Sequence, residues 1–174
     1  MTHNKQPVLY IFSGLPGAGK STLAQRLANK LGCVYLRIDT IEQALRDLCS
    51  FRVEKGEGYR LAYRIAADNL KIGISVVADS CNPVELTRAE WEDVARHSSA
   101  RHLNIEICCT DKVEHRNRVE TRVSNVQGLK LPVWSEVEQR EYHTWTKERV
   151  VVDTFGKTID ESFDQLYDAL SAIS

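Results

Sequence analysis

One eight-residue stretch near the start of the chain limits what it can fold into. Residues 14–21 read Gly-Leu-Pro-Gly-Ala-Gly-Lys-Ser, which fits the pattern G-x-x-x-x-G-K-[ST] at every fixed position. The three glycines can take backbone angles closed to other residues, so that successive N–H groups turn inward around a phosphate. The lysine supplies a mobile cation for the terminal phosphates, and the hydroxyl after it is placed to bind Mg²⁺. The stretch therefore predicts a phosphate-binding loop, or P-loop.

The residues on both sides of this loop have the pattern that such a loop requires. Residues 8–12 form a short apolar run rich in strand formers. Behind the loop, apolar residues recur at helical spacing from Leu23 to Leu31 and stop at Gly32, a signal for a helix C-terminus. The N-terminus of this helix would aim its N–H groups and dipole at the same anion. We therefore expect a nucleoside triphosphate to bind here, at Gly14, Pro16, Gly17, Ala18, Gly19, Lys20, Ser21 and Thr22.

Composition is typical of a globular protein and excludes several classes of function. The chain has 174 residues, 43% of them hydrophobic, which predicts one domain over residues 1–174. Its net charge of −1 produces no overall electrostatic attraction to nucleic acid or to anionic membranes. The five cysteines lack C-x-x-C spacing, which disfavours both a disulfide framework and a zinc site. No segment has the pattern of a signal peptide or a membrane span, so we expect a cytoplasmic protein.

Strand patterns and helix patterns alternate along the rest of the chain. Further strands are predicted at residues 33–38, 74–79, 103–109 and 150–153. Helices are predicted from a capping box at Thr40 to about Phe51, from Tyr59 to Ile72, from a capping box at Thr87 to about His97, after the cap Asp111 through Arg122, from Ser135, and from a capping box at Thr158. Mostly apolar strands separated by helices indicate a parallel sheet covered on both faces.

Two aspartates end strands of this predicted sheet, and in such folds ligands bind beyond the carboxyl ends of the strands. Asp79 ends an apolar run and is placed to hold Mg²⁺ opposite Ser21, with a turn cap as the alternative. Asp39 ends the second strand. A carboxylate there can accept the proton of a substrate hydroxyl as a catalytic base, with helix capping as the alternative.

A basic segment at residues 115–122 is the third candidate. Arg118 and Arg122 lie four residues apart on one predicted helix, so they share a face. Paired guanidinium groups suit phosphate oxygens and would stabilise charge on a phosphoryl group during transfer. The alternative is a solvated face on which these arginines pair with Glu114 and Glu120.

Over nearly its full length the chain resembles a group of small P-loop kinases in the AAA-type superfamily, relatives of gluconate kinase, chloramphenicol phosphotransferase and phage polynucleotide kinase. The stretches that carry the resemblance are residues 14–21, 38–40, 76–83, 115–122 and 132–134. It implies an α/β three-layer sandwich with a five-stranded parallel sheet in the order 2-3-1-4-5, helices on both faces and a short helical lid at about residues 112–134. It also implies ATP and Mg²⁺ as cofactors, residues 153–157 near the adenine, and catalytic roles for Lys20, Asp39, Arg118 and Arg122, with Arg118 also contacting the nucleotide.

Three functions are compatible with these residues. The leading hypothesis is a kinase that transfers the γ-phosphoryl of Mg-ATP to a hydroxyl of a small-molecule acceptor, which the sequence does not identify. A polynucleotide or nucleoside 5′-kinase is the alternative; the near-neutral charge weighs against a long nucleic-acid track but not against an end-binding site. The third possibility, from a different functional class, is a module that binds a nucleotide without transferring phosphate.

Arg60 and Arg64 share one face of a predicted helix. A solvated surface is favoured for this face over a binding site for an anionic acceptor.

Overall fold

A five-stranded parallel sheet forms the centre of the computed structural model, which describes residues 6–49 and 56–173. The strands are β1 (Val8–Ser13), β2 (Val34–Arg37), β3 (Val76–Asp79), β4 (Arg101–Cys108) and β5 (Val150–Asp153). They are ordered β2-β3-β1-β4-β5, and every neighbouring pair runs parallel. The five predicted strands and the predicted sheet order are confirmed.

Helices cover both faces of this sheet. They are α1 (Lys20–Leu31), α2 (Ile38–Leu48), α3 (Glu57–Lys71), α4 (Glu85–His97), α5 (Lys112–Thr121), α6 (Trp134–Glu138) and α7 (Ile159–Ile173). Helices α1 and α7 pack together on one face, and α3 and α4 pack on the other. The three-layer arrangement predicted from the resemblance is confirmed. Within the described residues, no helix has the length and apolar character needed to cross a membrane.

The two buried faces explain why the central strands are apolar throughout. Neighbouring residues of a strand point to opposite faces. Leu9 and Ile11 of β1 therefore join one hydrophobic cluster, which includes Trp91 of α4, whereas Phe12 joins the other together with Val77 of β3. All five side chains are fully buried. A sheet covered on both sides needs apolar residues at successive positions, which gives a continuous run in place of alternation.

Two of the predicted capping boxes do not form, because the helices begin earlier than the local pattern indicates. Arg37, the last residue of β2, is itself the N-cap of α2, so the strand passes into the helix with no loop between them. Sheet pairing sets this boundary, because Arg37 still pairs with β3. Helix α4 likewise begins at Glu85, two residues before Thr87. Asp39 therefore lies in the first turn of α2. The predicted end of this helix near Phe51 lies outside the described residues.

Other helix ends agree with the sequence, with one correction. The Asp111 side chain accepts a hydrogen bond from the Glu114 N–H at 2.8 Å, as predicted for a cap. The capping box between Thr158 and Glu161 is also formed. Helix α5, however, ends at Thr121, and Arg122 follows with an extended ψ of 147°. Arg118 and Arg122 are therefore not both on the helix, as the sequence pattern had predicted.

Candidate functional site

A cleft of about 750 Å³ opens where the parallel strands end. The strand register places Arg37 beside Asp79, and Asp79 beside Phe12, so that β2, β3 and β1 end side by side. The sequence-predicted residues that line this cleft are Pro16, Gly17, Gly19, Lys20, Ser21, Thr22, Asp39, Asp79, Arg118 and Arg122. Gly14 and Ala18 belong to the same loop but do not line the cleft. Residues that are far apart in sequence are thus brought to a single concave site.

The conformation of the P-loop requires glycine at two points of close approach. Gly14 and Gly17 have φ values of +139° and +88°. A Cβ on Gly14 would lie 2.1 Å from the carbonyl oxygen of Ile107, and one on Gly17 would lie 2.5 Å from a methyl group of Val119. The loop is therefore pressed against β4 and α5, where no larger residue fits without displacement. The left-handed backbone expected from the sequence is present at both positions.

Three neighbouring segments hold the P-loop by hydrogen bonds. The Gly14 N–H donates to the carbonyl of Cys81 at 3.0 Å. The Nε2–H of His115 on α5 donates to the Pro16 carbonyl at 2.9 Å, and the hydroxyl of Thr154 lies 3.0 Å from the Ala18 carbonyl. These contacts fix the loop before any ligand is bound, and preorganised donors lose little entropy on binding.

Asp79 lies at the bottom of the cleft with its side chain almost completely buried. Its Oδ2 accepts a hydrogen bond from the Tyr35 hydroxyl at 2.7 Å, and its Oδ1 lies 3.4 Å from Lys20 Nζ. Burial and the nearby Asp79 charge raise the pKa of Tyr35, which keeps the phenol protonated as a donor. The Ser21 hydroxyl contacts the same phenol.

The residues around Asp79 fit a magnesium ion. Asp79 Oδ1 is buried and accepts no hydrogen bond from any residue of the described chain. Buried oxygens of this kind require a partner, and Mg²⁺ in nucleotide sites takes one or two protein oxygens together with phosphate oxygens. Ser21 and Asp79 would supply those two protein oxygens, and the P-loop would hold the phosphates.

Asp39 presents an accessible carboxylate to the cleft. Its side chain is 53% exposed, and its Oδ2 lies 3.7 Å from Arg37 Nη2. Arg37 also donates from Nη1 to the side-chain oxygen of Asn125 at 2.6 Å. This bond ties the end of β2 to the segment that follows α5. Asp39 therefore remains open to a ligand while Arg37 is held beside it.

Arg118 is fixed beside the turn that follows β5. Its Nη1 donates to the Thr154 hydroxyl at 2.7 Å, its Nη2 donates to the Thr154 carbonyl at 3.0 Å, and it forms an ion pair with Glu114. Thr154 is the residue that also contacts the P-loop. Arg116 pairs with Glu120 on the surface at 2.8 Å. The glutamate pairs of the solvated-face alternative are thus present at Arg116 and at Arg118, but Arg118 is in addition hydrogen-bonded to Thr154 beside the P-loop.

Arg122 lies in another part of the cleft. Its charged neighbours are Asp39, Arg37 and Arg140. Burial is the main cause that lowers the pKa of its guanidinium; Asp39 opposes this effect, and the two neighbouring arginines add to it. The cleft therefore separates Arg118, which is beside Thr154, from Arg122, which is beside Asp39.

Sequence reasoning missed several residues of the site. Tyr35 could have been found, because it lies two residues before Arg37 on β2 and therefore faces the same side of the sheet. His115 lies in the predicted basic segment, and the resemblance put the stretch that contains Thr154 near the adenine, but the contacts of these two residues with the P-loop were not predicted. Arg140 gave no local signal. The other predicted basic pair, Arg60 and Arg64, lies outside the cleft and lines a shallow groove between α3 and α4.

The parallel sheet, the P-loop and the acids at the strand ends define a P-loop nucleotide-binding protein of the α/β class. Residues 9–149 match the family model described as an AAA domain, which is most of the 174-residue chain. The chain belongs to this AAA domain family, and its resemblance to the small P-loop kinases is confirmed.

Comparisons with individual proteins agree with this assignment. A stretch of 71 residues is 35% identical to a protein assigned as an adenylate kinase from Pyrococcus furiosus; it covers 41% of this chain but only 31% of that relative. A protein assigned as a kinase from Chloroflexus aurantiacus superimposes with a TM-score of 0.73 at 21% identity, over 96% of this chain and 97% of its own. The Mycobacterium tuberculosis APS kinase, solved with AMPPNP and APS, gives a TM-score of 0.67 at 18% identity, over 95% and 98% of the two chains. The two structural matches show a shared fold.

Proposed function

We propose that this protein is a phosphotransferase that moves the γ-phosphoryl group of Mg-ATP to a hydroxyl of a small-molecule acceptor. One observation carries the proposal: a single cleft holds the P-loop with Lys20, the buried Asp79, whose Oδ1 faces Lys20 and accepts no hydrogen bond within the described residues, and the exposed carboxylate of Asp39. Nucleotide binding alone would require the phosphate site and an oxygen ligand for the metal, but not a second, accessible carboxylate such as that of Asp39. The presence of this carboxylate therefore favours transfer over binding alone. The binding of AMPPNP to the structurally similar APS kinase supports ATP as the donor.

Each residue has a role that follows from its position. The P-loop N–H groups and Lys20 would bind the phosphates, while Ser21 and Asp79 would hold Mg²⁺, which neutralises charge on the β- and γ-oxygens when bound. Asp39 would accept the proton of the acceptor hydroxyl. The hydroxyl oxygen would then form its bond to the γ-phosphorus while the bond to the bridging oxygen breaks and ADP leaves.

Residues 112–134 would form a lid over this reaction. The segment contains α5 with Arg118, and Arg122, Asn125 and Leu129 from the stretch after it line the cleft. Arg118 is hydrogen-bonded to Thr154, and Thr154 contacts the P-loop. From there Arg118 would stabilise charge on the transferred group or contact the nucleotide. Closing such a segment excludes water from the reacting groups, which favours transfer to the acceptor over hydrolysis.

An acceptor screen tests this proposal. Wild-type protein with ATP and Mg²⁺ is incubated with sugars, nucleosides, phenicol and aminoglycoside antibiotics and 5′-hydroxyl oligonucleotides, and both ADP and phosphorylated product are measured. We expect one acceptor class to give a product that disappears in Lys20→Ala. A 5′-phosphorylated oligonucleotide as the main product would support the polynucleotide kinase alternative. Saturable ATP binding without product from any acceptor would favour a non-catalytic binding module.

A further inference from the structure

The part of the cleft around Asp39 has an excess of positive charge that the nucleotide site does not explain. The cleft is lined by seven cationic side chains and three carboxylates. Lys20 and Arg118 lie with the P-loop, and Asp79 faces Lys20. The remaining part carries five cations and two acids, which are Arg37, Arg46, Arg122, Lys130, Arg140, Asp39 and Glu42. Within the cleft this acceptor end is therefore the more basic part.

Pairing inside the protein neutralises only some of these charges. Arg46 forms an ion pair with Glu42 at 3.2 Å, and Arg37 lies 3.7 Å from Asp39 and 3.8 Å from Asp79. Across residues 6–49 and 56–173, neither Arg122 nor Arg140 has a carboxylate within 4.0 Å. Arg122 has both Arg37 and Arg140 among its charged neighbours, with Asp39 as the acid that opposes them, although like charges at short range repel.

Arg122 shows the largest deficit of hydrogen-bond partners. Its Nε and Nη2 are buried and donate no hydrogen bond to any residue in the described ranges. These two nitrogens form one edge of the guanidinium, and such an edge matches two oxygens of a carboxylate or phosphate. Leaving buried donors without acceptors costs free energy, and a bound oxyanion would remove that cost.

Arg140 belongs to a segment that a buried arginine of α4 holds in place. Arg88, which is 3% exposed, donates to the carbonyls of Asn82 and His143, and its guanidinium lies 4.0 Å from the Trp145 ring centroid. This anchor fixes residues 139–149 against α4 although the segment has little regular secondary structure. The side chain of Arg140 reaches the Cys81 thiol at the edge of the cleft. The packing of this segment against α4 therefore determines where Arg140 lies.

We propose that the phosphoryl acceptor carries an oxyanion group and that Arg122, Arg37 and Arg140 bind it beside the hydroxyl that Asp39 deprotonates. This inference rests on the proposed phosphotransferase function and specifies its substrate class. Phosphate, sulfate and carboxylate share the required chemistry, because each offers two or more oxygens to a guanidinium. The proximity of Asp39 to Arg122 and Arg37 places the anionic group and the reacting hydroxyl in the same small region of the acceptor.

A binding experiment with the nucleotide site already filled tests this subsite directly. The protein is saturated with Mg-AMPPNP so that added anions cannot occupy the P-loop, and inorganic phosphate, sulfate and glycolate are titrated separately at constant ionic strength. We expect at least one of them to raise the melting temperature saturably. Half-saturation should require at least tenfold more anion in Arg122→Gln and in Arg140→Gln. Arg140 is exposed, so that variant remains informative if Arg122→Gln does not fold.

Arg96 is the matched control. It is a 69% exposed arginine in the last turn of α4, paired with Asp93 and outside the cleft. Arg96→Gln should bind the anions as the wild type does. Comparing the three anions identifies which oxyanion the site prefers. The inference is overturned if none of them binds saturably to the wild-type complex, or if both cleft variants bind as the wild type does.

A second experiment separates this inference from the proposed function. Acceptors are compared in pairs that differ only in the anionic group: ribose with ribose 5-phosphate, glycerol with glycerate, and nucleosides with their 3′-phosphates. We expect kcat/KM to favour the anionic member at least tenfold, and Arg122→Gln to reduce that preference by raising KM. Equal use of both members would retain the phosphotransferase and refute the anion site. Anion binding that depends on Arg122, without transfer to any acceptor, would support the site and refute the transfer function. An equal loss of kcat for both members would place Arg122 at the γ-phosphate and overturn the inference.

Discussion

Removing one hydroxyl should loosen both the P-loop and Arg118, because Thr154 joins them. Thr154 is 5% exposed, and its Oγ1 lies 3.0 Å from the carbonyls of Ala18 and Cys108 and accepts a hydrogen bond from Arg118 at 2.7 Å. Thr154→Val keeps the shape of the side chain and removes these contacts. A neutral hydrogen bond contributes about 1 kcal/mol, and one from a charged donor contributes about 1.5–3 kcal/mol.

The loss is smaller than the sum of these values because Arg118 is partly exposed and retains water and Glu114 as partners. We therefore expect Thr154→Val to reduce the free energy of unfolding by about 2–3 kcal/mol. For a chain of this size, this corresponds to a fall in Tm of roughly 5–10 °C. The affinity for Mg-ATP should fall as well, since the Ala18 carbonyl loses the contact that orients the loop.

Calorimetric unfolding and ATP titration of two Thr→Val variants test this reasoning. Thr121 is the control, because its exposed hydroxyl donates only to the Asn117 carbonyl of its own helix, at 2.7 Å. Thr121→Val should change the free energy of unfolding by no more than about 0.5 kcal/mol. If Thr154→Val unfolds within 2 °C of Thr121→Val and binds ATP equally well, the hydroxyl does not hold the loop.

Two further predictions concern the P-loop and two half-buried thiols. Gly14→Ala places a Cβ against the Ile107 backbone and should lower the free energy of unfolding by about 2–5 kcal/mol. Gly32→Ala is the control, because Gly32 also has a positive φ but has nothing within 4 Å of an added Cβ, and it should lower the free energy of unfolding by only about 1 kcal/mol. Equal denaturant midpoints for the two variants would contradict this prediction. Burial raises the pKa of Cys33 and of Cys108 from 9.0 to about 11, so their alkylation at pH 8 should be roughly 100-fold slower in the folded chain than in urea. The stabilisation of the fold by these raised pKa values is complete below pH 9 and is lost as the pH rises toward 11. If these thiols reacted in the folded chain as fast as in urea, the raised pKa values would be refuted.

Much of the fold was predictable from the sequence because its signals are local. The P-loop pattern, the helical spacing up to Gly32 and the Asp111 cap each depend on a few adjacent residues, and the structure contains all three. The sheet order came from the resemblance to small P-loop kinases. The box at Thr40 was predicted wrongly because β2, whose end is set by pairing with β3, passes directly into α2. The box at Thr87 was predicted wrongly because α4 already begins at Glu85.

The site was predictable only where its residues belong to strand ends or to the P-loop. Asp39 and Asp79 reach the cleft because parallel strands end at one edge of the sheet. Thr154 and Arg140 come from a turn and an irregular segment, whose positions depend on tertiary contacts such as those of the buried Arg88. The resemblance put the turn of Thr154 near the adenine, but no spacing rule predicts its hydrogen bond to the P-loop or the position of Arg140 in the cleft, so only the folded chain reveals these contacts.

Replacing Asp39 tests the central claim most directly. With the acceptor found by the screen, single-turnover transfer and ATP affinity are measured for wild type, Asp39→Asn and the control Asp68→Asn, an exposed aspartate of α3 outside the cleft. The account predicts that Asp39→Asn binds ATP within a few-fold of the wild type but transfers phosphate roughly 100-fold more slowly, the usual scale for a lost general base, while Asp68→Asn is unaffected. Full transfer by Asp39→Asn would contradict its role as the base.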